Sequence, residues 1–461
     1  MPVSEIYNSK FLIRIPDDHP NYEAHVRRII ELIRPCGLKT IEVFWPVGIP
    51  LLQKPEPECS ERKVWDLGPL SDAFQRKARG RLLANFDNPN GATRALEILN
   101  RKAPEPVKPL PIGKQPPPED RHELISGREI PGPIPPDPPL PGPPPPPDPE
   151  PLWPKKLLNP PSDWLKYSLN NIAVLDSGCD VSHPTFRAYG KTGDPSRVHV
   201  MGNSTDLSGH GSFVCGQIVG RGASKNLPNN HGLLPKSSIW MGNVAVPMSA
   251  EFAFPTDAGV YDLALNLLTM KGASEYRAAG LHRFNIQVLN LSLGGKDRCA
   301  IEEESIRAVV DSGIAVVACV HNVLDSMQGW KWPLFFPAAL DTVVSVAAVD
   351  HKSTLWPRSR TAAVQGYQRS RMPMVDICAP GVSILSALPG GAAGRRMGTS
   401  FAAPYVTAAM AVLRAANPKL SVAEATATLL SNVIPDSGRN DPTYGAGILQ
   451  CSGLKLRSKT R

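Results

Sequence analysis

At 461 residues the chain is long enough for two or three domains, and an apolar content of 42% excludes a wholly disordered protein. The net charge of +8 is spread without any run of five Lys or Arg, so charge gives no footprint for nucleic acid and none is expected as a partner. No stretch of 18 apolar residues occurs, which predicts no membrane-spanning helix.

The first residues, Met1-Pro2-Val3-Ser4-Glu5-Ile6, offer neither a basic nor an apolar leader region and do not read as a secretory signal. The eight cysteines are scattered without C-x-x-C spacing, and several sit in apolar runs. Both features predict reduced, buried thiols and an intracellular protein, or a secreted one if the N-terminus is incomplete.

Residues 1–102 read as a small α+β domain. Residues 10–15 alternate like a strand, and 22–33 place Val26, Ile29, Ile30 and Ile33 on one helical face. Further strands are predicted at 40–45 and 81–86, and a second helix at 91–99. This order is most of a ferredoxin-like βαββαβ unit. RNA-recognition motifs use the same frame, and 79–86 resembles one in outline. Arg81 and Leu83, however, stand where stacking aromatics belong. A protein-docking role suits the domain better.

Residues 103–155 read as a linker. About half of the 50 prolines fall in it or just beyond, including the run Pro143 to Pro147. Such a stretch cannot form helix or central strand. It predicts a semi-rigid polyproline II spacer, and such tracts also dock SH3- or WW-type partners.

From 156 to 461 apolar strands alternate with helical stretches, as in a parallel α/β sheet. Strands are predicted at 171–175, 238–245, 287–291, 315–320, 342–348 and 376–379. Helices are predicted to start near 211, 259, 302, 399 and 422. Three stretches carry chemistry. The strand 171–175 delivers Asp176 at its C-terminal end, before a Ser-Gly turn. His210 lies between glycines in Asp206-Leu207-Ser208-Gly209-His210-Gly211-Ser212. Ser400 stands in Gly398-Thr399-Ser400-Phe401-Ala402-Ala403-Pro404, just before a small-residue helical run. Taken alone, Ser400 reads equally as a helix N-cap or as a nucleophile beside free N–H groups.

The chain order Asp176, His210, Ser400 is the subtilisin order of the serine triad. With all three motif blocks, residues 165–450 resemble the subtilisin-like serine peptidases (subtilases). Residues 444–447, Tyr-Gly-Ala-Gly, are similar to that family's closing segment. The resemblance implies an α/β, doubly wound, mostly parallel sheet behind the small α+β domain. It implies a serine endopeptidase acting on polypeptides through an acyl-enzyme. Asp176 would orient His210, His210 would take the Ser400 proton, and Asn322 would line the oxyanion hole.

The resemblance further implies that Ser292, Leu293, Gly294 and Gly295 pair with the substrate and wall its first specificity pocket, opposite 318–320. Both walls are apolar, which favours an apolar residue before the cut. A cis Phe336–Pro337 bond is implied nearby, and the N-terminal domain becomes a propeptide-like inhibitor or a partner-docking module. His321 departs from the family's glycine, which raises the question of positive φ. Gly-Ser-Phe after His210 departs from Gly-Thr-His, and Cys215, five residues after His210, does not stand where the proteinase-K-like branch has its cysteine. No metal site is assigned. Residues 226–232 lie where many subtilases form a calcium loop, and their asparagines are carbonyl-rich but without acids. The competing reading is a catalytically weak subtilase that recruits partners through its N-terminal domain and linker.

Overall fold

The computed structural model describes residues 10–14, 22–45, 62–66, 81–86, 91, 94–95, 98–99, 108–111, 149–188, 195–201, 205–206, 208–222, 227–244, 258–295, 300–322, 334–359, 375–435 and 442–454. Its contacts divide the chain into two units. One comprises residues 1–129, 258–279 and 297–305; the other comprises 130–257, 280–296 and 306–461.

The first unit holds a five-stranded sheet of β1 (Lys10–Arg14), β2 (Leu38–Trp45), β3 (Arg62–Asp66), β4 (Arg81–Phe86) and β5 (Lys108–Pro111), in the order β3-β2-β4-β1-β5. Without β3 this is the antiparallel ferredoxin-like order; β3 is an added strand, parallel to β2. Helix Tyr22–Ile33 buries Ile29, Ile30 and Ile33, as its periodicity predicts. The second helical stretch buries Gly91, Ala95 and Leu99, four residues apart.

Strand β5 lies within the stretch read as linker from 103 onward, so the sheet runs past residue 102. Proline content hid it. Pro109 and Pro111 alternate along an edge strand, and only an edge tolerates their missing N–H groups. The proline run 143–147 lies outside the described residues.

The second unit is built on a nine-stranded sheet. Its strands are β6 (Ile172–Asp176), β7 (Val198–Met201), β8 (Ile239–Asn243), β9 (Val288–Leu291), β10 (Ala315–Cys319), β11 (Val343–Val349), β12 (Ile377–Pro380), β15 (Val433–Ile434) and β16 (Ile448–Leu449). The order is β15-β16-β12-β11-β10-β9-β6-β8-β7, parallel except for the β15–β16 pair. Strands buried on both faces read as unbroken apolar runs, which is why six of them were legible. Strand β7 and the hairpin β13 (Ile384–Leu388) and β14 (Ala392–Arg396) were not; the hairpin is rich in Ala and Gly.

Helix Ala403–Ala416 crosses this sheet, and its residues from Ala403 to Arg414 are all buried. Its alanines let it sit close to the strands. The chain order reverses between β6 and β9, and in open α/β sheets that crevice, at the carboxyl ends of the strands, is where sites form.

Candidate active site

Asp176 is the last residue of β6 and is wholly buried. One of its oxygens, Oδ1, accepts the Ser177 backbone N–H at 2.8 Å and faces His210 Nδ1 at 2.8 Å. His210 opens the helix His210–Val219. Gly211 is required by this approach, since a Cβ there would run into the Gly178 carbonyl.

A second carboxylate, Asp206, holds the start of that helix. Its Oδ1 accepts from the Gly209 N–H and the Ser177 hydroxyl, each at 2.8 Å, and its Oδ2 accepts from the Ser212 N–H at 2.7 Å. The Ser208 hydroxyl accepts the His210 N–H at 3.1 Å. Burial pushes the Asp206 carboxyl above the usual range, against the hydrogen bonds from Ser212 and Ser177. Asp206 stood inside the His210 motif, yet sequence reading gave it no role. Its position four residues before His210, ahead of a helix start, was the available signal.

Ser400 sits in the 3-10 turn Thr399–Phe401. The helix proper begins at Ala403 with Ala402 as its N-cap and no side-chain cap, so the ordinary capping explanation of Ser400 falls away. The Ser400 carbonyl accepts the Ser292 hydroxyl at 2.7 Å. Ser292 in turn accepts from Asn290 Nδ2 at 3.0 Å, and Asn290 Oδ1 accepts from Thr407 at 2.9 Å. This buried chain fixes the Ser400 backbone from the end of β9. The side chain of Ser292 thereby positions Ser400.

Asn322 follows β10. Its Oδ1 accepts both the N–H and the hydroxyl of Thr399, each at 3.0 Å. His321 before it has φ 79°, the left-handed backbone its departure from glycine raised. The His321 ring packs on Phe335 at 4.5 Å between centroids. Phe336–Pro337 is cis.

Gly295 exchanges both backbone hydrogen bonds with Phe336, each at 2.8 Å. A Cβ on Gly294 would lie 2.6 Å from the Phe336 carbonyl, so this glycine answers to Phe336. The two expected walls are neighbours, since Ala318 of β10 pairs with Leu291 of β9. The Cys319 thiol lies against both Ser400 and Leu293. Its Sγ lies 3.8 Å from Ser400 Oγ and 4.0 Å from the Leu293 carbonyl, and burial pushes its thiol up.

The six described cysteines are buried thiols. Among the described residues no group of three or more His, Cys, Asp or Glu is placed to hold a metal, and no helix is long and apolar enough to cross a membrane.

Residues 170–447 match the Subtilase family. The chain belongs to that family. This subtilase is 27% identical over 291 residues to the Major intracellular serine protease of Bacillus subtilis (strain 168), a match covering 61% of this chain and 82% of that one. It is 30% identical over 268 residues to Subtilisin E of the same organism, covering 57% of this chain and 61% of that one. Among solved structures it is similar to the Prenylagaramide maturation protease PagA, at 21% identity and a TM-score of 0.47, over 64% of this chain and 95% of that one. The family's chemistry is serine-type peptide-bond hydrolysis.

Proposed function

We propose that this subtilase cleaves polypeptides at internal bonds through an acyl-enzyme on Ser400. The observation that carries the reading is the buried 2.8 Å contact between His210 Nδ1 and Asp176 Oδ1. A carboxylate can only accept, so Nδ1 carries the hydrogen and Nε2 is the atom that takes a proton. His210 then removes the Ser400 hydroxyl proton as Oγ attacks the scissile carbonyl, and Asp176 stabilises the imidazolium that forms.

The developing oxyanion needs a donor aimed at it beforehand. Asn322 meets that need. Its Oδ1 accepts a backbone N–H, which assigns the amide orientation and leaves Nδ2 as the donating end. His210 returns the proton to the leaving amine. A water activated by the same imidazole releases the acyl group and restores Ser400.

The apolar character of 292–295 and 318–320, with Leu293, Cys319 and Val320 as apolar members, supports a preference for apolar residues before the cut. The buried thiols, and the name of the similar intracellular protease, support action inside the cell.

The test is labelling with a fluorophosphonate probe, which forms a bond only to an activated serine. The wild-type chain labels at Ser400, and Ser400→Ala does not. Equal labelling of the variant would remove Ser400 from the mechanism, and no labelling of wild type would favour the partner-recruiting reading.

A further inference from the structure

The stretch expected as a calcium loop can be tested against its own donors. Calcium takes six to eight oxygens, carboxylates prominent among them. Residues 221–234 contain no Asp or Glu. The described part of the loop, 227–232, offers backbone carbonyls, asparagine amides and the His231 imidazole, and no carboxylate.

One of those carbonyls already faces a cation. Asn230 has φ 54°, and its carbonyl accepts a hydrogen bond from Lys155 Nζ. Lys155 reaches it from the helix Trp153–Leu158, which is fixed in the core by Trp153 and Leu158, 4% and 0% exposed. The Cys451 N–H binds the Leu158 carbonyl at 2.8 Å and Arg395 binds the Pro149 carbonyl at 2.6 Å, so the segment is held at both ends.

Burial pushes the Lys155 amine down to about 8, which leaves it a cation at neutral pH. The adjoining His231 is pushed down to about 3, by burial first and then by the Lys155 charge, and is neutral there. A divalent ion placed at the Asn230 carbonyl would meet the ammonium at contact range. The residues present do not fit calcium.

We propose that the Lys155 ammonium is this chain's own cation for the loop 227–232, tying it to the helix Trp153–Leu158 so that no metal is taken there. A charged donor forms the stronger class of hydrogen bond, and one that is covalently part of the chain cannot be chelated away. The loop is thereby coupled to the segment that leads in from the linker. A chain cut after Lys155 would lose the cation along with its N-terminal anchor.

The experiment uses the purified full-length chain, with Ser400→Ala added to every sample to prevent self-digestion. Thermal unfolding is followed in EDTA and in millimolar calcium, and calcium is titrated calorimetrically into EDTA-treated protein. The unaltered loop melts at the same temperature, within about 1 °C, in both solutions and gives no binding heat. Lys155→Met keeps the length of the stem without the charge, and lowers the melting temperature in EDTA by about 5 °C. Lys155→Arg keeps the charge and recovers at least half of that loss. A melting temperature that rises saturably with calcium while Lys155 is present overturns the proposal. So does a Lys155→Met chain that melts with its parent. These readouts do not depend on catalysis, so they stand or fall separately from the proposed peptidase mechanism.

Discussion

Asn322 Oδ1 accepts two hydrogen bonds from Thr399, one from the backbone N–H and one from the hydroxyl, each at 3.0 Å. The two residues lie on different elements, one after β10 and one in the turn that carries Ser400. Both lone pairs of the amide oxygen are used, so Nδ2 is aimed by exclusion. The relationship holds the expected oxyanion donor and the expected nucleophile in one frame before any substrate arrives.

Asn322→Ala removes that donor and leaves ground-state binding untouched. We expect kcat to fall by ~10²–10³ with KM changed little. Thr399→Val deletes one of the two restraints while keeping the backbone N–H, and we expect a fall in kcat of roughly tenfold or less. Steady-state kinetics on a peptide substrate checks both. An effect confined to KM would assign Asn322 to substrate binding.

Asp206→Asn tests the frame around His210. The carboxylate accepts from two backbone N–H groups and the Ser177 hydroxyl. An amide keeps one acceptor oxygen and turns an NH₂ group toward a donor. We expect a stability loss of about 1–3 kcal/mol from the unmatched donors, and kcat lower by about tenfold because His210 is displaced. Denaturant unfolding and kinetics measured on the same preparations separate the two effects. Unchanged kcat in a folded variant would make Asp206 a helix cap without influence on the imidazole.

How much of this was legible in the sequence follows from what each residue contacts. Asp176, His210 and Ser400 stand out in the sequence as candidates because each lies in a stretch whose neighbours also matter: an apolar strand, a pair of glycines, a run of alanines. The sequence places Ser292 in a segment expected to pair with substrate through its backbone, but does not show that the Ser292 hydroxyl binds the Ser400 carbonyl 108 positions away. A serine that holds a distant backbone atom leaves no local pattern. Asn290 and Thr407 escaped for the same reason. In the fold, long β-branched strands announced themselves. Strand β5 did not, because proline normally forbids a strand and only its edge position permits one here. Ser400 was expected to sit at the helix mouth, but a 3-10 turn displaces the helix start to Ala403.

His231 gives a pH dependence with a definite sign. Its folded pKa of about 3 lies below the ordinary 6.5, chiefly from burial. The folded state therefore binds fewer protons than the unfolded state between those values. Its contribution is complete above pH 6.5 and is lost as pH falls toward 3, at up to about 1.4 kcal/mol per pH unit. His231→Leu fills the buried site without a titrating group. Unfolding measured in urea from pH 7 to pH 4 should show a shallower loss in the variant. Parallel curves would mean that His231 takes up its proton equally in the folded and unfolded states.

The N-terminal edge of the second unit gives the last prediction. Sequence reading placed the boundary between linker and catalytic domain at 155/156, but the anchoring contacts begin earlier. Trp153 is 4% exposed, its indole N–H reaches the Ser383 carbonyl at 3.5 Å, and its ring meets His351 edge-on at 6.2 Å. Arg395 binds the carbonyls of Ser383 and Pro149, at 2.7 and 2.6 Å, linking β14 to the incoming chain. Removing so large a buried side chain leaves a cavity that cannot close, so Trp153→Ala should cost about 3–5 kcal/mol. The same contacts restrict processing. If the purified protein matures by a cut in its proline-rich stretch, the new N-terminus should fall before Pro149, because a later cut would discard Trp153 and leave the Ser383 and His351 surface open. Intact mass and N-terminal sequencing read the position directly. A stable, active chain beginning at 156 or later would show that Trp153 and the Arg395 contacts are dispensable.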